Sequence, residues 1–421
     1  MSLPNGFLDE LRSRICLSDV VGRKVQWDLR KSNQARGDMW APCPFHQEKT
    51  ASFHVDDNKG FYYCFGCQAK GDAIGFIKET ENVNFIEAVE ILASEVGLQM
   101  PEFDPKSKEK ADRNKILLEI MEQSVNFFRL TLNSNQGKHA LEYLKKRGLS
   151  SDAIERFEIG FAPADQTTLT QKLKDKGYDL DAIIETGMSV KSDESNRLYD
   201  RFRARIMFPI RDSRGRCIAF GGRSLDPTAR AKYLNSPETP LFDKGSNLYN
   251  LVSARSAVGR GEPLIVAEGY MDVIALDSGN FNGAIAPLGT AITEKQLQLM
   301  WRISPEPIIA LDGDKAGLRA AYRLIDLSLP LLRTGKALRF SIMPEGKDPD
   351  DLIRNEGASV FKNLIDEAVP MVDLIWRRET EGKSFDSPER RAGLDKSLSD
   401  VIALIKEKNL KNHYRDALFQ A

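Results

Sequence analysis

The chain has 421 residues, 41% of them hydrophobic and 29% charged, a balance that suits several cooperating globular units and excludes wholesale disorder or a collagenous or coiled-coil repeat. Its 60 Lys plus Arg against 61 Asp plus Glu leave a formal charge of −1, so affinity for a polyanion must come from local patches. No apolar run approaches the roughly 18 residues of a bilayer crossing, and Pro4, Asn5, Gly6, Asp9 and Glu10 stand where a secretory signal needs a basic patch and an apolar core. The expectation is a cytoplasmic protein with no membrane partner, whose five cysteines stay reduced and serve metal binding.

In chain order, residues 7–16 read as a helix with Cys16 on its apolar face, a small buried hydrophobe. Cys43-Pro-Phe-His46 and Cys64-Phe-Gly-Cys67 follow. A two-residue gap lets both ligands of a pair reach one ion from a tight turn, and four thiolate or imidazole ligands complete a tetrahedral shell for one Zn2+. Strands at 52–55 and 61–64, joined by the turn Asp57-Asn58-Lys59-Gly60, predict a hairpin that brings the pairs together. With every position filled by protein the ion is structural, and the module is a zinc ribbon. His54 reads as a surface or base-contacting residue. Trp40, Phe45, Phe53, Phe61, Tyr62, Tyr63 and Phe65 are too many for so small a core; most pack inside, while faces left outside beside Lys49, Lys59 and Lys70 can stack single-stranded bases.

Residues 104–113, beginning at Asp104, hold no apolar side chain beyond one Ala and read as a linker. Ile116, Leu117, Ile120, Met121, Val125 and Phe128 then recur at helical spacing. Residues 197–244 carry a net charge of +6, the most basic tract of the chain, where phosphates would neutralise the repulsion. Arg201, Arg203 and Arg205 alternate as on one face of a strand, which suits a phosphate track. Cys217 reads as a buried strand residue.

From 262 to 351 the balance turns acidic, and short apolar runs at 264–267, 283–286, 307–311 and 338–342 alternate with helical patterns at 271–278, 293–301 and 316–332. This is the signature of a doubly wound parallel sheet. Glu268 and Asp272 follow the first run, Asp312 and Asp314 the third, and Asp348, Asp350 and Asp351 the fourth. Three parallel strands thus deliver carboxylates to one carboxyl edge, where open α/β sheets place their sites. Their mutual repulsion calls for divalent cations, Mg2+ or Mn2+, in the two-metal arrangement of phosphoryl transfer. Residues 356–421 read as helical throughout.

Glu268-Gly-Tyr-Met-Asp272 with Asp312-Gly-Asp314 resembles the Toprim domain of topoisomerases, nucleases and bacterial primases. The stretch 201–210, Gly221-Gly-Arg223, Lys232-Tyr-Leu-Asn235 through Thr239, Lys244-Gly245 and the zinc pairs with Glu48-Lys-Thr50 resemble the bacterial replicative primase of the DnaG type over nearly the whole chain. That resemblance implies a multidomain α+β fold: a zinc ribbon (1–103), the linker (104–113), a basic N-terminal subdomain of the polymerase core (114–255), a Toprim α/β parallel-sheet subdomain (256–351) and a C-terminal helical subdomain (352–421). It makes Glu268, Asp312 and Asp314 the catalytic carboxylates, Glu268 as ligand or general base, with Asp272, Asp348 and Asp350 supporting two or more catalytic metals. It places Arg147, Arg223, Lys232, Asn235 and Lys244 beside template and nucleotide.

The function so implied is synthesis of short RNA primers from ribonucleoside triphosphates on a single-stranded DNA template at the replication fork. Ala51 stands where that family usually has Pro. The chain stops at Ala421, where such primases generally continue into a domain that binds the replicative helicase, so helicase docking is expected only of a longer protein; a single-strand binding protein is a further expected partner. The rival readings are a Toprim strand-cleaving enzyme, topoisomerase or nuclease, and a non-catalytic zinc-dependent protein that binds single strands.

Overall fold

The structure, a computed structural model, describes residues 6–420 except 47, 49, 82, 102–104, 193–195, 230 and 290; Pro4, Asn5, Lys49 and Asp104 lie outside the described residues. The chain divides into two compact units, residues 1–113 with 259–261, and 114–258 with 262–421.

In the first unit, β1 (Asp38–Ala41), β2 (Phe53–Asp56), β3 (Phe61–Cys64) and β4 (Lys70–Gly71) form an antiparallel sheet in that order. The expected hairpin is present. Its turn closes at Gly60, whose φ of 60° lies in the left-handed region that a residue without Cβ adopts at no cost. Strand alternation buries Met39, Phe53, Val55, Tyr62 and Cys64 against Leu11, Phe76 and Leu92 from the helices Phe7–Arg14, Ala73–Thr80 and Phe85–Glu95. Trp40, His54, Tyr63 and Lys70 form a cross-strand row on the opposite face.

Two expectations for this half change. The first helix ends at Arg14 because the chain turns extended at Ile15, so the helical period breaks and Cys16 is exposed rather than buried. The residues read as a linker are helical from Pro105, the start of the helix Pro105–Leu132. Absence of apolar positions removes packing, but Lys, Glu and Ala are strong helix formers and Pro is tolerated in a first turn.

The second unit contains β5 (Gly160–Ala162), the hairpin β6 (Ser189–Lys191) and β7 (Leu198–Asp200), then β8 (Arg205–Arg211), β9 (Cys217–Ser224) and β10 (Tyr233–Asn235). The antiparallel order is β10-β9-β8-β5. Cys217 is buried there, as expected. Only Arg205 lies in β8; Arg201 and Arg203 precede it in a loop where Ala204 adopts a φ of 48°. The three arginines therefore do not share a strand face.

A six-stranded sheet follows, built from β11 (Leu248–Tyr249), β12 (Ile265–Val266), β13 (Ala284–Pro287), β14 (Ile308–Leu311), β15 (Arg339–Ile342) and β16 (Val369–Pro370) in the order β11-β13-β12-β14-β15-β16. The inner four strands are parallel and the outer two antiparallel. Alternate residues enter two cores: Ile265, Ala284, Ala286, Ile308 and Ala310 face one, and Val266, Ile285, Ile309, Leu311 and Phe340 the other. Burial on both faces explains why these strands read as unbroken apolar runs. The helices Tyr270–Ser278, Glu294–Ile303 and Lys315–Ser328 fall where periodicity placed them. The C-terminal segment, expected to be helical throughout, also contributes β16, too short at two residues to leave a sequence pattern.

Candidate active site and metal centre

In the ribbon, Cys43, His46, Cys64 and Cys67 offer ligand atoms within 4.8 Å of one another. Cys43 Sγ lies 3.8 Å from Cys67 Sγ, and Cys64 Sγ lies 3.7 Å from His46 Nδ1. A tetrahedral ion with metal–sulfur bonds of about 2.3 Å separates its sulfurs by about 3.8 Å, so these residues fit zinc. His54 is not among them. Its Nε2 is 2.8 Å from Asp38 Oδ1, which also accepts from the Trp40 indole at 2.9 Å. Phe53 and Tyr62 are buried and Phe45 packs on both, but Phe65 is 62% exposed and stacks on Trp40 with centroids 5.6 Å apart.

On the parallel sheet the structure joins Glu268 to the Asp312 backbone and gathers Asp348, Asp350 and Asp351, while among the described residues Glu268, Asp312 and Asp314 do not form a group whose oxygens all lie within 4.8 Å of one another. Glu268 follows β12 and accepts, through Oε1, the Asp312 backbone N–H at 3.1 Å, which joins the ends of β12 and β14. Asp314 Oδ1 accepts from the Ala316 and Gly317 amides, both at 2.7 Å, and so caps the helix Lys315–Ser328. Asp348 caps Pro349–Asn355 by accepting from Asp351 N–H at 2.6 Å. Asp348, Asp350 and Asp351 lie close enough to share an ion. Asp351 is the last acid of the Asp-Pro-Asp-Asp run that supplies the other two.

Charge and burial act together here. Burial, then Glu268, Asp348, Asp314 and Asp351, push Asp312 up to about 7, and its Oδ1 is buried with no hydrogen-bond partner. Asp272, fully enclosed and facing Asp348, Asp312 and Asp350, is raised well above the usual carboxylate range, although its Oδ2 accepts from Gly269 N–H at 2.9 Å. Burial also raises Glu268, opposed by the Asp312 amide. An acceptor-only oxygen left orphaned among other acids is the environment a hard cation relieves. Gly313 lets the two acidic loops pack backbone on backbone: a Cβ there would stand 1.9 Å from Pro344 O, and Gly313 donates to Lys347 O while accepting from Gly346.

Asp350 departs from the other acids. It is buried and ion-paired to Arg147, with Arg354 3.8 Å away, so burial raises it while both arginines pull it down. Arg147 keeps a buried, unpartnered Nε. Arg223 is buried with Nη1 unpartnered, its guanidinium 5.1 Å from the Tyr143 ring and 5.7 Å from that of Tyr233. Tyr143 precedes Arg147 by four residues, one helical turn, a spacing that could have flagged it.

The other basic candidates are spread out. Asn235 is saturated: Oδ1 accepts from Tyr270 Oη at 2.7 Å, Nδ2 donates to Leu288 O at 2.7 Å, and its carbonyl accepts from Arg201 Nη2 at 3.0 Å. Arg203 donates to Asp200 O and Arg205 to Gly222 O and Lys232 O. Lys232 is exposed, and Lys244 lies against Gly289.

Three family models match the chain: a CHC2 zinc finger over residues 3–108, the N-terminal domain of the DNA primase catalytic core over 127–255, and a Toprim domain over 262–340. The DNA primase of Rickettsia felis is 40% identical over 408 residues, covering 97% of this chain and 67% of the relative. That of Pseudomonas putida is 40% identical, with 99% and 63% covered, and that of Escherichia coli K12 38%, with 99% and 71%. The chain therefore spans between 63% and 71% of the length of these relatives. A DnaG primase catalytic domain bound to single-stranded DNA superposes with a TM-score of 0.67 at 38% identity, covering 73% of this chain and 96% of that one. The zinc-binding and RNA polymerase domains of Aquifex aeolicus primase give 0.63 at 28% identity, covering 100% and 97%.

Proposed function

The chain belongs to the family of bacterial DNA primases, DNA-directed RNA polymerases of the DnaG type, and we propose that it joins ribonucleoside triphosphates into short RNA primers on single-stranded DNA. The observation that supports the reading is the orphaned, buried oxygen of Asp312, a carboxyl raised by burial and by the charges of Glu268, Asp348, Asp314 and Asp351 from the ends of three strands. Neither strand cleavage nor binding without catalysis is favoured by this family membership.

Glu268, Asp312 and Asp314 would hold the catalytic divalent cations, Mg2+ or Mn2+, with Asp348, Asp350 and Asp351 adding charge beside them and Asp272 beneath. When bound, such cations lower the pKa of the attacking 3′-hydroxyl and neutralise charge on the leaving pyrophosphate. The chain's own contribution is position and charge. Arg147 and Arg223 each keep a buried donor without a partner, which a triphosphate oxygen would satisfy. Tyr143 and Tyr233 hold Arg223 between their rings, and Asp350 aims Arg147. Asn235 acts by bracing β10 against Tyr270 and Arg201. Arg201, Arg203, Arg205, Lys232 and Lys244 supply the positive potential that attracts template phosphates.

The zinc of the ribbon is structural in this reading, and the outward face bearing Trp40, His54, Tyr63 and Phe65, with the Lys31 ammonium 5.9 Å from the Trp40 ring centre, stacks template bases. Among the described residues no helix is long and apolar enough to cross a membrane. We place the protein in the cytoplasm at the replication fork, with the replicative helicase and a single-strand binding protein as partners. Labelled ribonucleotides incubated with a single-stranded template should yield short RNA only when Mg2+ or Mn2+ is present; absence of product under both metals overturns the proposal.

A further inference from the structure

Glu48 sits at the centre of the ribbon's ligand set without being one of its four ligands. Its Oε1 accepts from the Cys43 amide at 2.7 Å and the Ser52 amide at 3.2 Å. Its Oε2 accepts from Ser52 Oγ at 2.6 Å and lies 3.4 Å from His46 Nε2. Ser52 Oγ is in turn 3.3 Å from Cys64 Sγ. One carboxylate therefore bonds the Cys43 backbone, holds the Ser52 hydroxyl whose oxygen rests against Cys64, and lies beside His46.

The imidazole has little freedom to turn elsewhere. A Cβ on Gly66 would stand 2.6 Å from His46 Nε2, so the ring fills space that only glycine leaves open. A neutral imidazole carries one N–H, and the nitrogen facing a carboxylate keeps it. With Nε2 facing Glu48, the lone pair is left on Nδ1, the atom 3.7 Å from Cys64 Sγ.

We propose that Glu48 is a positioning residue of the zinc centre, holding three of the four ligands in place and fixing His46 as an Nδ1 ligand. The inference rests on the reading of Cys43, His46, Cys64 and Cys67 as zinc ligands. It explains an acid placed close to two cysteines that must ionise to bind metal, where like charge alone would be unfavourable: its hydrogen bonds come from two amides and a hydroxyl, and its remaining neighbour is the imidazole Nε2 at 3.4 Å.

The test uses the whole chain. Elemental analysis should find one zinc per chain; none would overturn the ligand reading itself. Glu48→Gln presents an amide N–H to His46 or Ser52 in place of the carboxylate oxygen. Competition with a chromophoric chelator should then show zinc binding weakened by about 10- to 100-fold. Nitrogen-15 spectra of the zinc-loaded wild type should show His46 protonated at Nε2 and metal-bound at Nδ1. Ser52→Ala, which spares the Glu48–His46 approach, should lose less affinity than Glu48→Gln. The zinc-loaded variant separates the two roles: if Glu48 only stabilises the loop, nitrogen-15 spectra of zinc-loaded Glu48→Gln will still show His46 bound through Nδ1 alone, whereas loss of a positioning role lets a fraction of His46 bind through Nε2. Unchanged chelator competition, an Nε2-bound His46 in the wild type, or pure Nδ1 binding in the variant would each refute the inference.

Discussion

The ribbon and the acidic edge of the parallel sheet both gather charged ligands, but they solve the problem in opposite ways. The four ribbon ligands fall within 25 consecutive residues, 43–67, and each already sits at the spacing a tetrahedral ion requires. Their supporting hydrogen bonds come from within the ribbon itself. The carboxylates of the edge come from positions up to 83 residues apart, and the structure leaves them in tension, with Asp312 bearing an orphaned oxygen and Asp272 raised by burial and by its acidic neighbours. A site meant to hold a fold together is satisfied locally, whereas a site meant to act on a substrate keeps donors and acceptors in reserve.

The contrast breaks most sharply at Asp312. Asp312→Ala should reduce dinucleotide synthesis by on the order of a thousandfold while fluorescence anisotropy still reports template binding. Retained synthesis would show that the edge is not the reacting centre.

Stripping zinc with a chelator should unfold the ribbon, since structural zinc contributes on the order of 10 kcal/mol to such modules. Hydrogen exchange should then rise across residues 38–77 and stay unchanged in the sheet of β12 to β15. Loss of protection in both would mean that the two units are not independent.

A pH series sharpens the comparison further. The folded Asp312 carboxyl is raised from an unfolded value near 3.8 to about 7, so between these limits the folded state binds more protons than the unfolded one. Stability of the metal-free chain should therefore fall as pH rises from about 4 to about 7, and level off above. Added Mg2+ should bind more tightly with rising pH over the same window and reverse the loss. Denaturant titrations with and without the metal check both signs.

The smallest effect is expected at the rim. Tyr143→Leu removes one ring from Arg223 and should raise the KM for ribonucleotides several-fold with little change in kcat, in line with a cation–π contact of about 1 kcal/mol. A fall in kcat alone would place Tyr143 elsewhere in the mechanism.

Much of this was legible in the residue order because the relevant signals are local. A two-residue gap in each zinc pair, an apolar run buried on both faces and an acid directly after a strand all declare themselves within a few positions. What escaped depends on tertiary partners. Arg201, Arg203 and Arg205 look like alternate strand residues, yet Ala204 bends the chain before β8 begins and each guanidinium finds a different carbonyl. Asn235 carries the chemistry of a nucleotide contact but spends it on Tyr270 and Leu288. Residues 104–113 lack apolar positions, which speaks to packing and says nothing against a helix over 105–113. Glu48 and Tyr143 acquire their roles only through neighbours that folding supplies.

The close approach at Gly313 reaches beyond packing. Because peptide groups rather than side chains set the gap between the loops after β14 and β15, the acids on them are spaced by main-chain geometry, the least variable ruler a protein has. Descendants of this chain can exchange the apolar residues around the sheet and alter the helices that cover it while the distance between those acids stays constant. A methyl group at residue 313 is the change such a lineage cannot absorb.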